Sequence, residues 1–188
     1  MRETLPWEIV ETFPSTDAAL IEHWRDRCTS ATGTAQRVRA SIGAALSLYW
    51  AVQLGLGDPP ANLAERRELV SGAEELALRA GDPELIATAL LGRLYALWGP
   101  DHRFERTELL GRLASLAPEV EEPELRLRII EWEVLECFDT GDLDGARAGA
   151  ARFTDLARGT ASRLRARRVE LWRANLAMLG VTSTAPWP

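Results

Sequence analysis

Lysine is absent from this chain of 188 residues, and all 22 of its basic side chains are arginine. That excludes Schiff-base chemistry at a lysine and a lysine-bearing phosphate loop. Both need an ammonium that can deprotonate or reach a phosphate as a point charge. Cysteine and histidine are scarce, at two each. Cys28 and Cys137 lie far apart among apolar neighbours, as reduced core thiols do, so a structural disulfide is not expected. His23 and His102 stand at spacings unrelated to the cysteines, which supports none of the usual zinc patterns; no metal and no cofactor are expected. No apolar run approaches the roughly 18 residues that a helix needs to cross a bilayer. The opening residues Met1-Arg2-Glu3-Thr4 carry no apolar stretch of signal-peptide type, so a cytoplasmic protein without a membrane partner is expected. A net charge of -6 argues against a nucleic-acid partner for the domain as a whole, because affinity for phosphate comes largely from neutralising it with basic groups.

What the chain does hold is hydrophobic and charged residues at 46% and 27%, the balance of a globular protein with a packed core. It also repeats itself. Glu65-Arg66-Arg67-Glu68-Leu69 matches Glu105-Arg106-Thr107-Glu108-Leu109 at a shift of forty residues, and Leu76-Ala77 recurs as Leu116-Ala117 and Leu156-Ala157. A period in this range marks stacked helical repeats, each unable to bury its apolar face without a neighbour. The fold expected is all-α, an α-α superhelix of stacked antiparallel helix pairs. No segment alternates with period two in branched residues, so no sheet is expected.

Residues 1–14, bounded by Pro6 and Pro14, read as an extended N-terminal arm whose Trp7, Ile9, Val10 and Phe13 need cover. Residues 15–180 read as a single helical-repeat domain and 181–188 as a C-terminal tail. A first helix carries Leu20, Ile21, Trp24 and Cys28 on one stripe. Paired helices follow, from Ala35 to Leu54 with Leu63 to Ala80, from Glu84 to Trp98 with Arg103 to Ala117, and from Glu124 to Asp139 with Leu143 to Arg158. Gly81-Asp82-Pro83 marks a joint in which glycine suits a left-handed C-cap and Asp82 with Pro83 opens the next first turn. Leu127, Ile130, Val134 and Phe138 form a core stripe, and the shift of forty gives Ala87, Leu90, Leu94 and Trp98 the same roles. A last helix runs from about Ser162 to Leu179.

Gly141-Asp142-Leu143-Asp144-Gly145-Ala146, followed by Phe153 and Leu156-Ala157, resembles the turn and second helix of a tetratricopeptide repeat. The run from Arg66 to about Gly159, with Gly81-Asp82-Pro83-Glu84-Leu85 and Leu97-Trp98-Gly99-Pro100-Asp101-His102, resembles the tetratricopeptide-type sensor region of bacterial signalling ATPases. These are the LuxR-type transcription regulators and their nucleotide-cyclase-associated relatives. The resemblance implies only the sensor part, since the chain has no Gly-x-x-x-x-Gly-Lys loop and no evident helix-turn-helix.

First helices of such pairs line a concave face, which makes Arg93, Tyr95, Trp132, Glu136, Trp172 and Asn175 the groove candidates. Trp132 lies off the Leu127 to Phe138 stripe, beside Glu136. Glu131, Glu133 and Glu136 share its helix, either as a solvated face or as the source of an acid or base walled by an indole. Asp101 and His102 read better as a capping carboxylate and its neighbour than as an acid-base pair. Arg163, Arg165, Arg167, Arg168 and Arg173 make the one dense basic patch, either a site for an acidic partner or the polar end of the stack. The last pair lacks a second helix, so its uncovered surface is expected to self-associate as a homodimer.

Two functions of different class fit this pattern. One is a regulatory module that binds a small hydrophobic molecule or a peptide in an aromatic groove. The other is a cofactor-free cyclase or isomerase in which a groove carboxylate moves a proton. A pure protein scaffold is a third.

Overall fold

Eight α-helices account for almost all of the residues that a computed structural model of the chain describes, namely 18–53, 55, 58–158 and 163–178, and no strand occurs among them. They are α1 Ala18–Ser30, α2 Thr34–Gln53, α3 Pro59–Ala80, α4 Pro83–Ala96, α5 Arg103–Leu116, α6 Pro123–Thr140, α7 Leu143–Ala157 and α8 Arg163–Met178. The fold is all-α and built of antiparallel helix pairs, as expected. The expected N-terminal arm and the tail with Trp187 lie outside the described residues. The chain divides into two compact units between Leu109 and Leu110, a point within α5.

Local chemistry sets the joints. Gly81, at φ +66°, ends α3 in the left-handed conformation that a side chain would resist, and its amide closes onto the carbonyls of Ala77 and Leu78. Asp82 then accepts from the amides of Glu84 at 2.9 Å and Leu85 at 3.3 Å, with Pro83 at the first helical position where no amide hydrogen is needed. The same device recurs forty residues on, where Glu122 accepts from the amide of Glu124 and Pro123 opens α6.

In the first unit, α1 packs on α2, α2 on α3, α3 on α4, and α2 also touches α4. The first helix of one pair therefore meets both its own partner and the first helix of the next. Such close spacing needs small residues: Ala40, Ala44 and Ala45 of α2 are buried against Trp24, Leu69, Val70 and Ala96. A side chain at Gly92 would fall 2.7 Å from Ile42, so that glycine is what lets α4 approach α2.

In the second unit, α6 packs on α7 and α7 on α8. Leu127, Val134, Ala150, Phe153 and Trp172 form its core, with Ile130 and Phe138 packed against them, so the whole expected stripe of α6 faces inward. Phe153 and Trp172 meet edge to face at 4.8 Å between ring centres.

One position departs from the role expected of it at the shift of forty residues. Trp98, assigned to the core through Phe138, is 44% exposed. Helix α4 ends at Ala96, and Gly99-Pro100 leads into a 3-10 turn at Pro100–His102, because proline cannot extend the preceding helix. The residues forty further on, Asp139 and Thr140, continue α6 until Gly141 stops it at φ +76°. Phe138 therefore stays on a helix face while Trp98 falls beyond one.

Candidate functional site

Three of the arginines read as a basic patch on α8, Arg165, Arg168 and Arg173, are paired with carboxylates. Arg165 pairs with Glu124 of α6, and Arg168 Nη2 lies 2.8 Å from Glu131 Oε1. Arg128 stands between the two carboxylates, its Nε 3.2 Å from Glu124 and its Nη1 3.1 Å from Glu131. The result is a ladder of alternating sign, Arg165, Glu124, Arg128, Glu131, Arg168, that joins α6 to α8. Its centre is shut off from water, with Arg128 and Glu131 both buried. Charges taken out of water at this depth persist only when paired and hydrogen-bonded on several sides.

Beside the ladder an open cleft of about 240 Å³ runs between the end of α7 and α8. Ala157, Ala166 and Val169 line it together with Thr154, three arginines, Arg158, Arg165 and Arg173, and one acidic residue, Glu170. Arg158 also reaches Asp155 at 3.3 Å, and Arg173 reaches Glu170 at 2.8 Å. Ala157 and Val169 rest on the core that holds Trp172. A compact apolar body carrying a carboxylate or phosphate matches this lining.

The six groove candidates divide between the units. Arg93 and Tyr95 belong to the first, and Trp132, Glu136, Trp172 and Asn175 to the second. The indoles of Trp132 and Trp172 are 2% and 1% exposed, so both are core side chains and do not wall an open groove. Apolar residues occupy more than one face of α6 and α8, and packing turned the tryptophans inward. Glu136, Asn175 and Tyr95 are half-buried. Arg93 Nη1 holds Glu74 of α3 at 2.6 Å, and its Nε holds Glu105 of α5 at 3.1 Å. Burial pulls down the pKa of this guanidinium, but the two carboxylates outweigh it and the net shift is upward. Arg93 is thus a clamp between helices.

Glu131, read with Glu133 and Glu136 as one face, is separated from them in environment. It is 4% exposed and held by two arginines, whereas Glu133 pairs with Arg152 at 2.7 Å. His102 meets Arg67, Nη2 to Nδ1 at 3.3 Å, and Asp101 is exposed in the 3-10 turn before α5. Since the guanidinium donates, Nδ1 accepts and the ring proton belongs on Nε2.

Two further arginines have a structural role that the sequence pattern does not spell out. Arg66 and Arg106, equivalent at the shift of forty, each donate to a backbone carbonyl near the end of α4, Arg66 to Ala96 at 2.8 Å and Arg106 to Gly99. Arg66 is buried, lies 5.4 Å from the ring centre of Tyr49, and has its pKa lowered by loss of solvent. The repeated Glu-Arg of the sequence is the signal for this role. Arg158 of the cleft has no such signal, standing alone at a helix end. Cys28 and Cys137 are free thiols whose pKa values burial pushes up, with Asp142 and Glu133 adding to the effect at Cys137.

Among the described residues no helix is long and apolar enough to cross a membrane. Comparison of the chain with protein-family models, with curated proteins and with solved structures yields no match.

Proposed function

We propose that this chain is a non-enzymatic regulatory binding module, a tetratricopeptide-like sensor that takes a small molecule or a peptide end. The α7–α8 cleft carries the reading, with Arg158, Arg165 and Arg173 around Ala157, Ala166 and Val169. Its ligand would join a compact apolar group to an anionic one, which refines the expectation of a purely hydrophobic ligand in an aromatic groove. Burial of Trp132 supports this choice over a carboxylate acid or base at Glu136 working against an open indole wall. Regulation would follow from differential affinity, the ligand favouring one arrangement of the helices over another.

The test is calorimetric titration of the full chain with benzoate and phenyl phosphate, with benzyl alcohol as the uncharged control. The two anions should bind and the alcohol should not. Replacing both Arg158 and Arg173 by glutamine should weaken anion binding by about tenfold or more, as expected for lost charge-assisted hydrogen bonds. Equal binding of alcohol and anion, or no effect of the replacement, would reject the cleft as the site.

A second reading, self-association through α8, has an observation of its own. Leu171 and Met178, two turns apart on one face, are both exposed. A second copy of the chain is the proposed cover. Sedimentation of the protein beside Leu171→Glu tests it, with a concentration-dependent dimer expected only in the unmodified chain.

A further inference from the structure

Arg165 belongs to two structures at once. It lines the cleft, and it is the terminal positive charge of the ladder through Glu124. We infer that anion binding in the cleft and attachment of the first half of α8 to α6 are coupled through this side chain, an anion competing with Glu124 for Arg165. The inference rests on the cleft reading above and adds its regulation.

The charge balance makes the exchange feasible. When Arg165 turns to an incoming anion, Glu124 still holds Arg128, and Glu131 still holds Arg128 and Arg168. Two carboxylates and two guanidiniums remain, so no buried carboxylate is stranded, which is the outcome that would make release prohibitive. The opposite end opens less readily, because there Arg168 is bound to the more deeply buried Glu131. Of the two carboxylates Glu124 is the more open, at 12% of its accessible surface against 5% for Glu131, while the end arginines run the other way, Arg165 at 18% and Arg168 at 32%. The rung that the cleft shares is thus the one whose carboxylate water reaches more readily once released.

The far half of α8 has a different anchor. Trp172 is seated on Phe153 and Leu176 is buried, contacts that need no charge. Competition at Arg165 would thus loosen the first two turns of the helix while the apolar second half stays in place. The ligand class this geometry selects is a small monoanion or phosphate monoester with an apolar body. An uncharged ligand is disfavoured, because a neutral acceptor makes a weaker hydrogen bond to Arg165 than the Glu124 carboxylate that it would have to displace.

Backbone hydrogen exchange of the full chain, read by mass spectrometry over residues 163–170 with and without benzoate or phenyl phosphate, tests the coupling. Bound probe should speed exchange there severalfold and leave residues 172–178 unchanged. Glu124→Gln removes the competing charge, so it should bind both probes several times more tightly and show raised exchange before any probe is added. Arg165→Gln should bind weakly and lose the response. If the probes bind the unmodified protein yet exchange in the first half of α8 is unchanged or slowed, or if Glu124→Gln binds no better, the coupling is wrong and the cleft reading stands. If the probes bind neither protein, both fall. The measurement on the unmodified chain keeps the inference open to refutation should a variant fold poorly.

Discussion

The indole of Trp24 lies against the bare backbone of Gly43, so close that a methyl group there would overlap Cδ2 of the ring. Helix α1 is seated on α2 by this contact, with Ala40 and Ala44 completing the floor under the ring. Gly43→Ala must therefore displace a large buried side chain or push α1 and α2 apart. Although alanine is the better helix former, overpacking should dominate, with a loss of about 1–3 kcal/mol. A urea midpoint that rises in the variant would contradict the packing.

Arg66 supports the end of α4 from α3 while its guanidinium lies over Tyr49. Arg66→Met keeps the length and removes the donor, leaving the carbonyl of Ala96 without it. The expected loss is about 1.5–3 kcal/mol for a charged hydrogen bond at a buried site. Tyr49→Leu in a double-mutant cycle should reveal a coupling of about 0.5–2 kcal/mol between the two side chains. Additive effects would show that the ring and the guanidinium do not interact.

Glu131 carries two arginines in the buried portion of the ladder. Glu131→Leu takes one carboxylate from Arg128, which keeps Glu124, and the ladder carboxylate from Arg168, so a loss of about 3–5 kcal/mol is expected from breaking a buried ion pair. Replacing Arg128, Glu131 and Arg168 together by methionine, leucine and methionine should recover most of it. Thermal unfolding of the single and triple variants separates these outcomes, and a triple variant weaker than the single would show that the ladder is worth more than its apolar replacement.

The departure at Trp98 has its own test. Leu94→Ala, at a fully buried position, should cost about 2–5 kcal/mol. Trp98→Ala, beyond the end of α4, should cost under about 1 kcal/mol. Comparable losses at the two positions would place Trp98 back in the core.

Alkaline pH should weaken the fold. Burial raises the Cys28 thiol above its ordinary pKa of 9.0 and the Tyr49 hydroxyl above 10.0, with Arg66 only partly opposing the second shift. Both groups lose their protons earlier in the unfolded chain than in the folded one. Between the unfolded and folded pKa values the native state binds more protons, so stability falls as pH rises through 9 and 10. Urea midpoints at increasing pH should decline over this window, and the decline should be shallower in Cys28→Ala with Tyr49→Phe. An unchanged slope would assign the alkaline loss to other groups.

How much of this was legible follows from the range of each interaction. The joint at Gly81-Asp82-Pro83 and the inward stripe of Leu127, Ile130, Val134 and Phe138 follow from neighbours three or four residues away, and both occur as the local pattern requires. The candidate site was less legible. Trp132 and Trp172 had two apolar faces to choose between, and Glu131 looks like any carboxylate on a charged helix until Arg168 arrives from another element. The Arg66 and Arg106 pair was visible as a repeat but not as a role.

The amino-acid sequence by itself determined that the chain is helical and where most of its helices are broken, as at Gly81-Asp82-Pro83 and Gly141. Caps, turns and helical periodicity act within a few bonds and need no knowledge of the rest of the molecule. Tertiary structure alone decided which tryptophans were shut in, which arginines pair with carboxylates and carbonyls, and where three arginines come to line one cleft. Those outcomes depend on groups far apart in the chain losing water together, and no local pattern encodes which partner each will meet.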